Sequence, residues 1–209
     1  MELRYSLGSP YVRKVRVAAL ELGLADRIDF VMTWVQQPNP TLDRLRAINP
    51  LGKIPTLVLD DGEVLYDSPV IIEYLDTLHG RAKLIPPEGK PRWRALRLQA
   101  LGDGMLDSIV AVVFEDRRKP ELRWPAWVDH HNANVVRALD VLEAEATLLD
   151  GPMTVGQIAV ACAIGLLDFR KVEWRNGRPQ LTAWFDAFNR RPSMTATMPQ
   201  LPPPLPENP

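Results

Sequence analysis

Apolar and polar residues alternate at the start of the chain and then recur at helical spacing. Alternation predicts a short strand over Glu2 to Ser6 and a second strand over Ile28 to Trp34. Between them a helix begins at Pro10 and ends at Gly23, and its apolar stripe comprises Val12, Val15, Ala19 and Leu22. A strand, a helix and a strand in so short a stretch predict a right-handed parallel unit.

The next segment combines a short helix with a hairpin. Pro38 interrupts the pattern, and Asn39 is expected to cap a helix over Pro40 to Ile48. Asp61-Gly62 predicts a tight turn that joins two strands, Thr56 to Leu59 and Glu63 to Tyr66. A further helix starts at Ser68-Pro69, so the order of elements in this first part of the chain is βαβαββα.

The second part of the chain carries only helical patterns, and they begin after the prolines Pro86, Pro87 and Pro91. Its helices are predicted over Trp93 to Glu115, Pro125 to Leu149, Val155 to Asp168 and Leu181 to Arg190. Thr154 and Gln157 form a capping box before the third of these helices. The chain ends in the proline-rich stretch PQLPPPLPENP, which is expected to be extended, either draped on the surface or recognised by a proline-binding domain.

These patterns predict an α/β domain followed by an all-helical one. The expected boundaries are residues 1–82 for the α/β domain, 83–90 for a linker, 91–200 for a C-terminal helical bundle and 201–209 for the tail. A chain of 209 residues with 46% hydrophobic residues is long enough for one or two such domains.

The charge balance argues against two classes of partner. Lys+Arg number 25 and Asp+Glu 26, so no overall field favours nucleic acid or an anionic membrane surface. The longest apolar run, Ile158 to Leu167, is shorter than the roughly 20 residues that span a bilayer. The start, MELRYS, lacks the apolar core of a signal peptide, and a cytoplasmic protein is expected.

Cysteine and histidine usage excludes other chemistries. Cys162 is the single cysteine, so neither an intrachain disulfide nor a CxxC redox pair can form, and the thiol is expected in the core. The histidines are His79 and the adjacent pair His130 and His131, and neighbours on a helix point about 100° apart. No metal site is predicted.

The stretch SLGSPYVRKVRV, Ser6 to Val17, carries the first candidate chemistry. Ser9 is a preferred N-cap and Pro10 a preferred first helical residue. A helix N-terminus with a hydroxyl beside it offers aligned N–H dipoles and one mobile donor, which suit an anion such as a thiolate. The alternative is that Ser9 only caps its helix.

Segments spread along nearly the whole chain resemble the cytosolic glutathione S-transferase superfamily, above all its bacterial members with a catalytic serine. They are, in order, SPYVRKVRV, NPLGKIPTL, YDSPVIIEYL, TVGQIAVACAI and AWFDAFNRRPSM. The resemblance implies an N-terminal thioredoxin-like domain that binds glutathione, a helical C-terminal domain that supplies an acceptor pocket, and a homodimer.

The same resemblance implies roles for individual residues. Ser9 would donate a hydrogen bond to the glutathione thiolate, and a cis bond between Ile54 and Pro55 would turn the backbone of Ile54 toward the cysteinyl unit. The remaining implied glutathione contacts are Ser68 to the γ-glutamyl carboxylate, Asp67 to its ammonium, Lys53 to the glycyl carboxylate, and Asp103 reaching in from a partner subunit.

Alternatives remain for the donor and for the acceptor pocket. Ser6 lies on the same turn as Ser9, and Tyr5 ends the first strand, where tyrosine-type relatives keep their donor. The acceptor pocket is expected to involve Met105, Ile109 and Val113, with Phe114, Trp124 and Trp127 as further candidates. Apolar residues at helical spacing also serve as core, so a packing role for this set stays open.

The implied function is a glutathione transferase, with a role in detoxification, in which the thiolate adds to or substitutes on a small hydrophobic electrophile. A serine cannot form a mixed disulfide, so the residue type favours thiol addition or substitution over disulfide exchange. A glutathione-dependent lyase, dehalogenase or peroxidase on the same scaffold is the alternative within enzymes. A glutathione-binding adaptor or ligand carrier without turnover is the alternative outside them.

Overall fold

The computed structural model describes residues 1–35, 39–81 and 83–205, and these divide into two compact units. The first unit comprises residues 1–85 together with the C-terminal segment from Ala196, and the second comprises residues 86–195. The predicted interruption at Pro38, the boundary at residue 82 and the last four residues of the tail lie outside the described residues.

The first unit is a mixed sheet with helices, in the predicted order. Its elements are β1 (Glu2–Tyr5), α1 (Pro10–Leu22), β2 (Asp29–Met32), α2 (Pro40–Ile48), β3 (Thr56–Val58), β4 (Val64–Leu65) and α3 (Ser68–Leu75), with a 3-10 turn at Ala25–Arg27. The strand order is β2-β1-β3-β4, with β1 parallel to β2 and β3 antiparallel to both of its neighbours. This is the thioredoxin-like arrangement, and the predicted α/β fold class is confirmed.

Apolar residues from the sheet, α1 and α3 form the core of this unit. Leu3 of β1 pairs with Leu57 of β3, and neither side chain is exposed. The helices contribute Val12, Val15, Ala19, Ile71, Ile72 and Leu75, all fully buried. The stripe predicted for α1 is therefore the face that packs on the core, and Gly23 ends the helix with a positive φ of 70°.

The second unit is all helical, as predicted. Its helices are α4 (Gly89–Asp116), α5 (Pro125–Ala144), α6 (Val155–Phe169), α7 (Pro179–Phe188) and α8 (Pro192–Thr195), with 3-10 turns at Pro120–Leu122 and Ala146–Leu149. The sequence pattern continued the second helix to Leu149, whereas α5 ends at Ala144 because the following residues tighten into a 3-10 turn. Helix α4 begins at Gly89 rather than Trp93, inside the predicted linker.

Helix α6 is the central element of this unit. Its residues from Val155 to Leu167 are buried, and Cys162 is a core side chain with no exposed surface. The predicted capping box is present, since the Thr154 N–H donates to Gln157 Oε1 over 2.6 Å. The capping box therefore fixes where α6 begins.

The C-terminal segment differs from the predicted division. Residues 196–205 group with the first unit, whereas the pattern assigned 196–200 to the helical domain and 201–209 to a separate tail. The chain therefore returns to the α/β unit after its last helix.

Close contact between α4 and α6 depends on two glycines. A Cβ at Gly102 would lie 2.6 Å from the carbonyl carbon of Ala159, and a Cβ at Gly156 would lie 2.6 Å from Leu98 Cβ. Both positions leave room only for hydrogen, so the two backbones approach each other more closely than side chains allow.

We expect Gly102→Ala to destabilise the protein by about 1–3 kcal/mol, because the added methyl group meets rigid backbone. Gly104→Ala is the matched control on the same helix, since a Cβ there has no neighbour within 4 Å. Its free energy of unfolding should rise by roughly 0.5–1 kcal/mol, because alanine has a lower backbone entropy than glycine in the unfolded chain. Urea unfolding of both variants measures the difference, and equal effects would contradict the close crossing.

Candidate functional site

The candidate residues of the first unit meet at one edge of the sheet. Strand register places these residues side by side: Tyr5 with Met32, Arg4 with Thr56, and Leu57 with Leu65. The carboxyl ends of β1, β2 and β4 therefore lie beside the amino end of β3. The turn that leads to Ser9, the loop at Ile54-Pro55 and the start of α3 at Ser68 all lie at this edge, although long stretches of sequence separate them.

Ser9 is the N-cap of α1, as predicted. Its hydroxyl oxygen accepts a hydrogen bond from the Val12 N–H over 3.3 Å, and Pro10 occupies the first helical turn. The Ser9 N–H donates to the Ser6 carbonyl over 3.2 Å, which closes the turn after β1. Because the oxygen accepts from the helix, its hydrogen is left to point to an acceptor outside the helix. Capping and donation to a ligand are therefore compatible.

The two rival donors occupy different environments. Ser6 is half-buried on the same turn as Ser9. The ring of Tyr5 packs edge-on against Phe30, with the ring centroids 5.4 Å apart, and the guanidinium of Arg16 lies 5.9 Å from the centre of the Phe30 ring. Burial lowers the pKa of Arg16 more than the neighbouring Tyr5 raises it, and arginine stays charged at neutral pH. Tyr5 is thus part of an aromatic contact on the sheet.

The loop before β3 has the predicted geometry, since the bond between Ile54 and Pro55 is cis. Pro55 is buried and Ile54 is half-buried, while the side chain of Lys53 is exposed. The peptide bond between Tyr66 and Asp67, at the end of β4, is also cis.

Asn49 holds this loop in place, a role that the sequence pattern did not reveal. Its side chain is buried, and Nδ2 donates to the Lys53 carbonyl over 3.1 Å and to Thr56 Oγ1 over 2.9 Å. Thr56 Oγ1 in turn donates to the Lys53 carbonyl over 2.8 Å. The only local signal is that asparagine before proline is common in turns.

The start of α3 corrects one prediction. The Ser68-Pro69 pair was expected to repeat the helix start at Ser9-Pro10, but Asp67 occupies the N-cap position and Ser68 is the first helical residue. The Asp67 side chain is exposed and does not cap the helix. Consequently the first N–H groups of α3 receive no side-chain cap, and a carboxylate stands beside them.

The hydroxyl of Ser68 is the most unusual polar group at this edge. Ser68 is 1% exposed, and among residues 1–35, 39–81 and 83–205 its Oγ has no hydrogen-bond partner. A buried hydroxyl without a partner costs about 1–3 kcal/mol, so such groups are rare unless a ligand completes them. With helix N–H groups and the Asp67 carboxylate beside it, the site suits a zwitterion that carries both a carboxylate and an ammonium.

The candidates of the second unit lie on α4. The side chains of Met105 and Ile109 are 2% and 6% exposed, so both belong to the hydrophobic core. Val113 and Asp103 are half-buried. The acceptor-lining role of the apolar residues and the ligand role of Asp103 stay predictions.

An aromatic cluster lies where α4 leads into α5. The rings of Trp124 and Trp127 stack with centroids 5.9 Å apart, and His131 meets Trp127 edge-on at 4.4 Å. Trp124 and Phe114 are 61% and 55% exposed. The role of Phe114, Trp124 and Trp127 toward an acceptor also stays a prediction.

Two kinds of feature are absent from the described ranges. Within residues 1–35, 39–81 and 83–205 no three histidine, cysteine or acidic side chains are grouped so that they could hold a metal ion. In the same part of the chain no helix combines the length and the apolar character needed to cross a bilayer.

Comparison with known proteins decides the family. The model of the glutathione S-transferase N-terminal domain matches residues 8–78, and that of the C-terminal domain matches residues 125–187. An uncharacterised GST-like protein of Escherichia coli K12, YibF, is 32% identical over 95% of this chain and 98% of its own length. The chain belongs to the glutathione S-transferase family.

Solved structures of other family members share the whole architecture. A glutathione transferase family member from Pseudomonas fluorescens Pf-5, crystallised with bound glutathione, superposes with a TM-score of 0.91 at 46% identity, covering 96% of this chain and 99% of that one. A glutathione S-transferase from Methylobacillus flagellatus KT, with glutathione bound, gives 0.84 at 36% identity, covering 95% and 99%. The fold of this transferase family member is thus the fold of proteins that hold glutathione.

We expect Ser68→Ala to raise the free energy of unfolding of the unliganded protein by roughly 1 kcal/mol, because the substitution removes a buried hydroxyl that has no partner. Asn49→Ala is the opposite case, since it removes two hydrogen bonds that hold the loop and should cost about 1–3 kcal/mol. Thermal and urea unfolding of both variants measure the two opposite changes in the free energy of unfolding. A loss of stability in Ser68→Ala would show that the hydroxyl has a structural partner.

Proposed function

We propose that this chain is a glutathione transferase of the serine type, which activates the glutathione thiol for attack on a small hydrophobic electrophile. The observation that supports it most is the buried hydroxyl of Ser68 at the start of α3, which has no hydrogen-bond partner in the described part of the chain. Glutathione begins with a γ-glutamyl group that carries a carboxylate and an ammonium on one carbon. Ser68 and the α3 N–H groups receive the carboxylate, and Asp67 receives the ammonium.

The rest of the tripeptide extends along the sheet edge toward Ser9. The backbone of Ile54, presented by the cis bond to Pro55, pairs with the cysteinyl unit like an added strand. Lys53 is exposed next to it and faces the glycyl carboxylate. The sulfur then reaches the N-terminus of α1, where the Ser9 hydroxyl donates a hydrogen bond to the thiolate.

The magnitudes are sufficient for this role. A thiol of the cysteine type titrates near ~8.5, and a pKa lower by two units requires about 2.7 kcal/mol of selective thiolate stabilisation. A hydrogen bond to a charged group contributes roughly 1.5–3 kcal/mol, and a helix N-terminus contributes about 0.3–2 kcal/mol. Ser9 and α1 together supply the required amount.

The bond changes follow from this thiolate. The thiol proton leaves to solvent, and a sulfur electron pair forms the new S–C bond. In a substitution the leaving group departs with the electron pair of its bond to carbon. In an addition, the electron pair of the attacked double bond moves away from the sulfur and then takes up a proton.

Several further features belong to the same proposal. The protein acts as a cytoplasmic homodimer in detoxification. Asp103 of each subunit approaches the γ-glutamyl ammonium of the glutathione bound by the other subunit. Met105, Ile109 and Val113 contribute to the acceptor pocket. The related Pseudomonas fluorescens structure with bound S-(propanoic acid)-glutathione, 46% identical and with a TM-score of 0.87, supports a site that accepts an S-substituted glutathione.

Retention on immobilised glutathione, followed by assays on a panel of electrophiles, separates the candidate functions. Retention with turnover supports the transferase, and the reaction type within the panel identifies a lyase, dehalogenase or peroxidase instead. Retention without turnover indicates an adaptor or carrier. An unretained protein would overturn both the transferase and the carrier.

Ser9→Ala should lower kcat by about 10- to 100-fold at about pH 6.5, the loss of one hydrogen bond to a charged group. The ultraviolet absorbance of bound thiolate should titrate at higher pH in the variant, while the Kd of glutathione changes little. Ser6→Ala and Tyr5→Phe are the matched controls, and both should keep the wild-type rate. Full activity of Ser9→Ala at this pH would assign the thiolate to another donor.

Ser68→Ala should weaken glutathione binding by about 10- to 100-fold, because the γ-glutamyl carboxylate loses a charged hydrogen bond. Val70→Ala, an exposed position on the same helix, should bind like wild type. Calorimetric titration with glutathione measures both constants. Equal affinities in the two variants would remove Ser68 from the binding site.

A further inference from the structure

The connection between α4 and α5 is an exposed protrusion of the helical unit. It contains the 3-10 turn at Pro120–Leu122. From Phe114 to Trp127 every residue except Glu115 is exposed. So long a run of exposed residues forms a convex surface rather than a groove. We call residues 114–127 the helical tip.

A buried carboxylate holds the helical tip in shape. Glu115 is 7% exposed, its Oε1 accepts the Trp124 N–H over 2.7 Å, and its Oε2 lies 3.4 Å from the Arg118 guanidinium. The guanidinium of Arg123 donates to the backbone carbonyls of Arg118 and Asp116. Because these bonds already order the loop, little loop entropy remains to be lost when its exposed side chains bind a partner.

Large apolar side chains are exposed on this ordered loop. Phe114 and Leu122 are each 55% exposed, and Trp124 is 61% exposed. Trp127, whose ring stacks on that of Trp124, is 39% exposed. A single exposed apolar residue is ordinary, but several in one short stretch mark an interaction surface. The proposed function draws on none of these four side chains.

Cations accompany the apolar residues. From residue 116 to residue 127 there are four, Arg117, Arg118, Lys119 and Arg123, against the two acids Asp116 and Glu121. The whole chain has a formal net charge of -1, so the helical tip is a local positive region on a protein without an overall positive field. The Arg117 guanidinium lies 5.2 Å from the centre of the Phe114 ring, which places a cation directly beside an exposed aromatic ring.

This combination matches the chemistry of an anionic lipid surface. Aromatic side chains are favoured at the depth of the lipid headgroups, where the ring leaves water and an indole N–H keeps a polar partner. Long cationic side chains beside them reach the lipid phosphates. A bilayer surface accepts a protrusion as it is, whereas a protein partner needs a groove of complementary shape.

We propose that the helical tip docks this protein on an anionic lipid surface. Phe114, Leu122 and Trp124 enter the interfacial region, and Arg117 and Lys119 contact lipid phosphates. Docking of this kind is reversible, because its affinity comes from a few apolar side chains and from charges that salt screens. It requires neither bound glutathione nor the proposed transferase function.

Co-sedimentation with vesicles tests the docking. The full-length protein should bind vesicles of equal parts phosphatidylglycerol and phosphatidylcholine roughly ten-fold more tightly than vesicles of phosphatidylcholine alone. Trp124→Ala and Leu122→Ser should each weaken binding to the mixed vesicles roughly three- to ten-fold, because apolar area is lost. Trp93→Ala is the matched control and should bind like wild type, since Trp93 is 67% exposed on α4 but lies outside the helical tip.

Charge reversal separates the helical tip from the charge of the whole protein. Lys119→Glu should weaken binding to the mixed vesicles roughly ten-fold, because it places a carboxylate against lipid phosphates. Arg44→Glu makes the same change in net charge at an exposed position on α2 and should bind within about two-fold of wild type. Equal losses in the two variants would mean that total charge holds the protein on the vesicle, and the proposal would be wrong.

Fluorescence shows which side chain meets the lipid. Brominated acyl chains quench those tryptophans that enter the interfacial region. Quenching should fall in Trp124→Phe, which keeps an aromatic ring and so keeps its binding, and should persist in Trp93→Phe. Undiminished quenching in Trp124→Phe would contradict docking through the helical tip.

Other occupants of the helical tip give different results. If Trp124→Ala lowers the molecular mass in sedimentation, the tip is a contact between copies of the chain. If it raises KM for an electrophile in the absence of vesicles, the tip belongs to the acceptor pocket. Either result overturns the proposal, as does a wild-type protein that does not bind the mixed vesicles. A protein that binds them through Trp124 but is not retained on glutathione confirms the docking and rejects only the transferase function.

Discussion

The antiparallel pairing of β3 with both β1 and β4 is the constraint on which the site depends. It places the amino end of one strand beside the carboxyl ends of its neighbours, so loops that are distant in sequence lie at one edge. At this edge two helices begin, at Pro10 and Ser68, and both present N–H groups without partners inside the helix. A ligand with negative charge at two points therefore finds two partial positive charges on a rigid frame.

The polar groups at this edge differ in what they do for the protein itself. Asn49 completes the loop before β3 with hydrogen bonds to Lys53 and Thr56 and thereby stabilises it. Ser68 does the reverse, because its hydroxyl is buried and has no hydrogen-bond partner among the residues that the structure describes. Asn49 thus stabilises the edge, whereas the buried hydroxyl of Ser68 costs the unliganded fold free energy.

Much of the first unit could be predicted because its signals are local. Ser9 and Asn39 cap their helices as predicted, since a cap depends on a few adjacent residues. The role of Asn49 could not be predicted, because it depends on hydrogen bonds across the loop before β3. The position of Asp67 at the cap of α3 could not be predicted either, because the end of β4 determines it rather than the Ser-Pro pair. The α5 pattern was likewise continued too far, because apolar spacing does not distinguish a helix from the 3-10 turn that follows it.

The tail illustrates a contact that no local rule can predict. Proline-rich composition indicates an extended chain, but the partner of such a chain is chosen by whichever surface offers donors and a flat ring. In this molecule that surface is formed by Trp34 and the Leu7-Gly8 turn, and the matching segment lies at the opposite end of the sequence. The turn that carries Ser9 is therefore contacted by residues close to the other end of the chain. A division drawn from periodicity alone assigns residues 196–200 to the helical domain and separates the tail from both domains, whereas the contacts group residues 196–205 with the first unit.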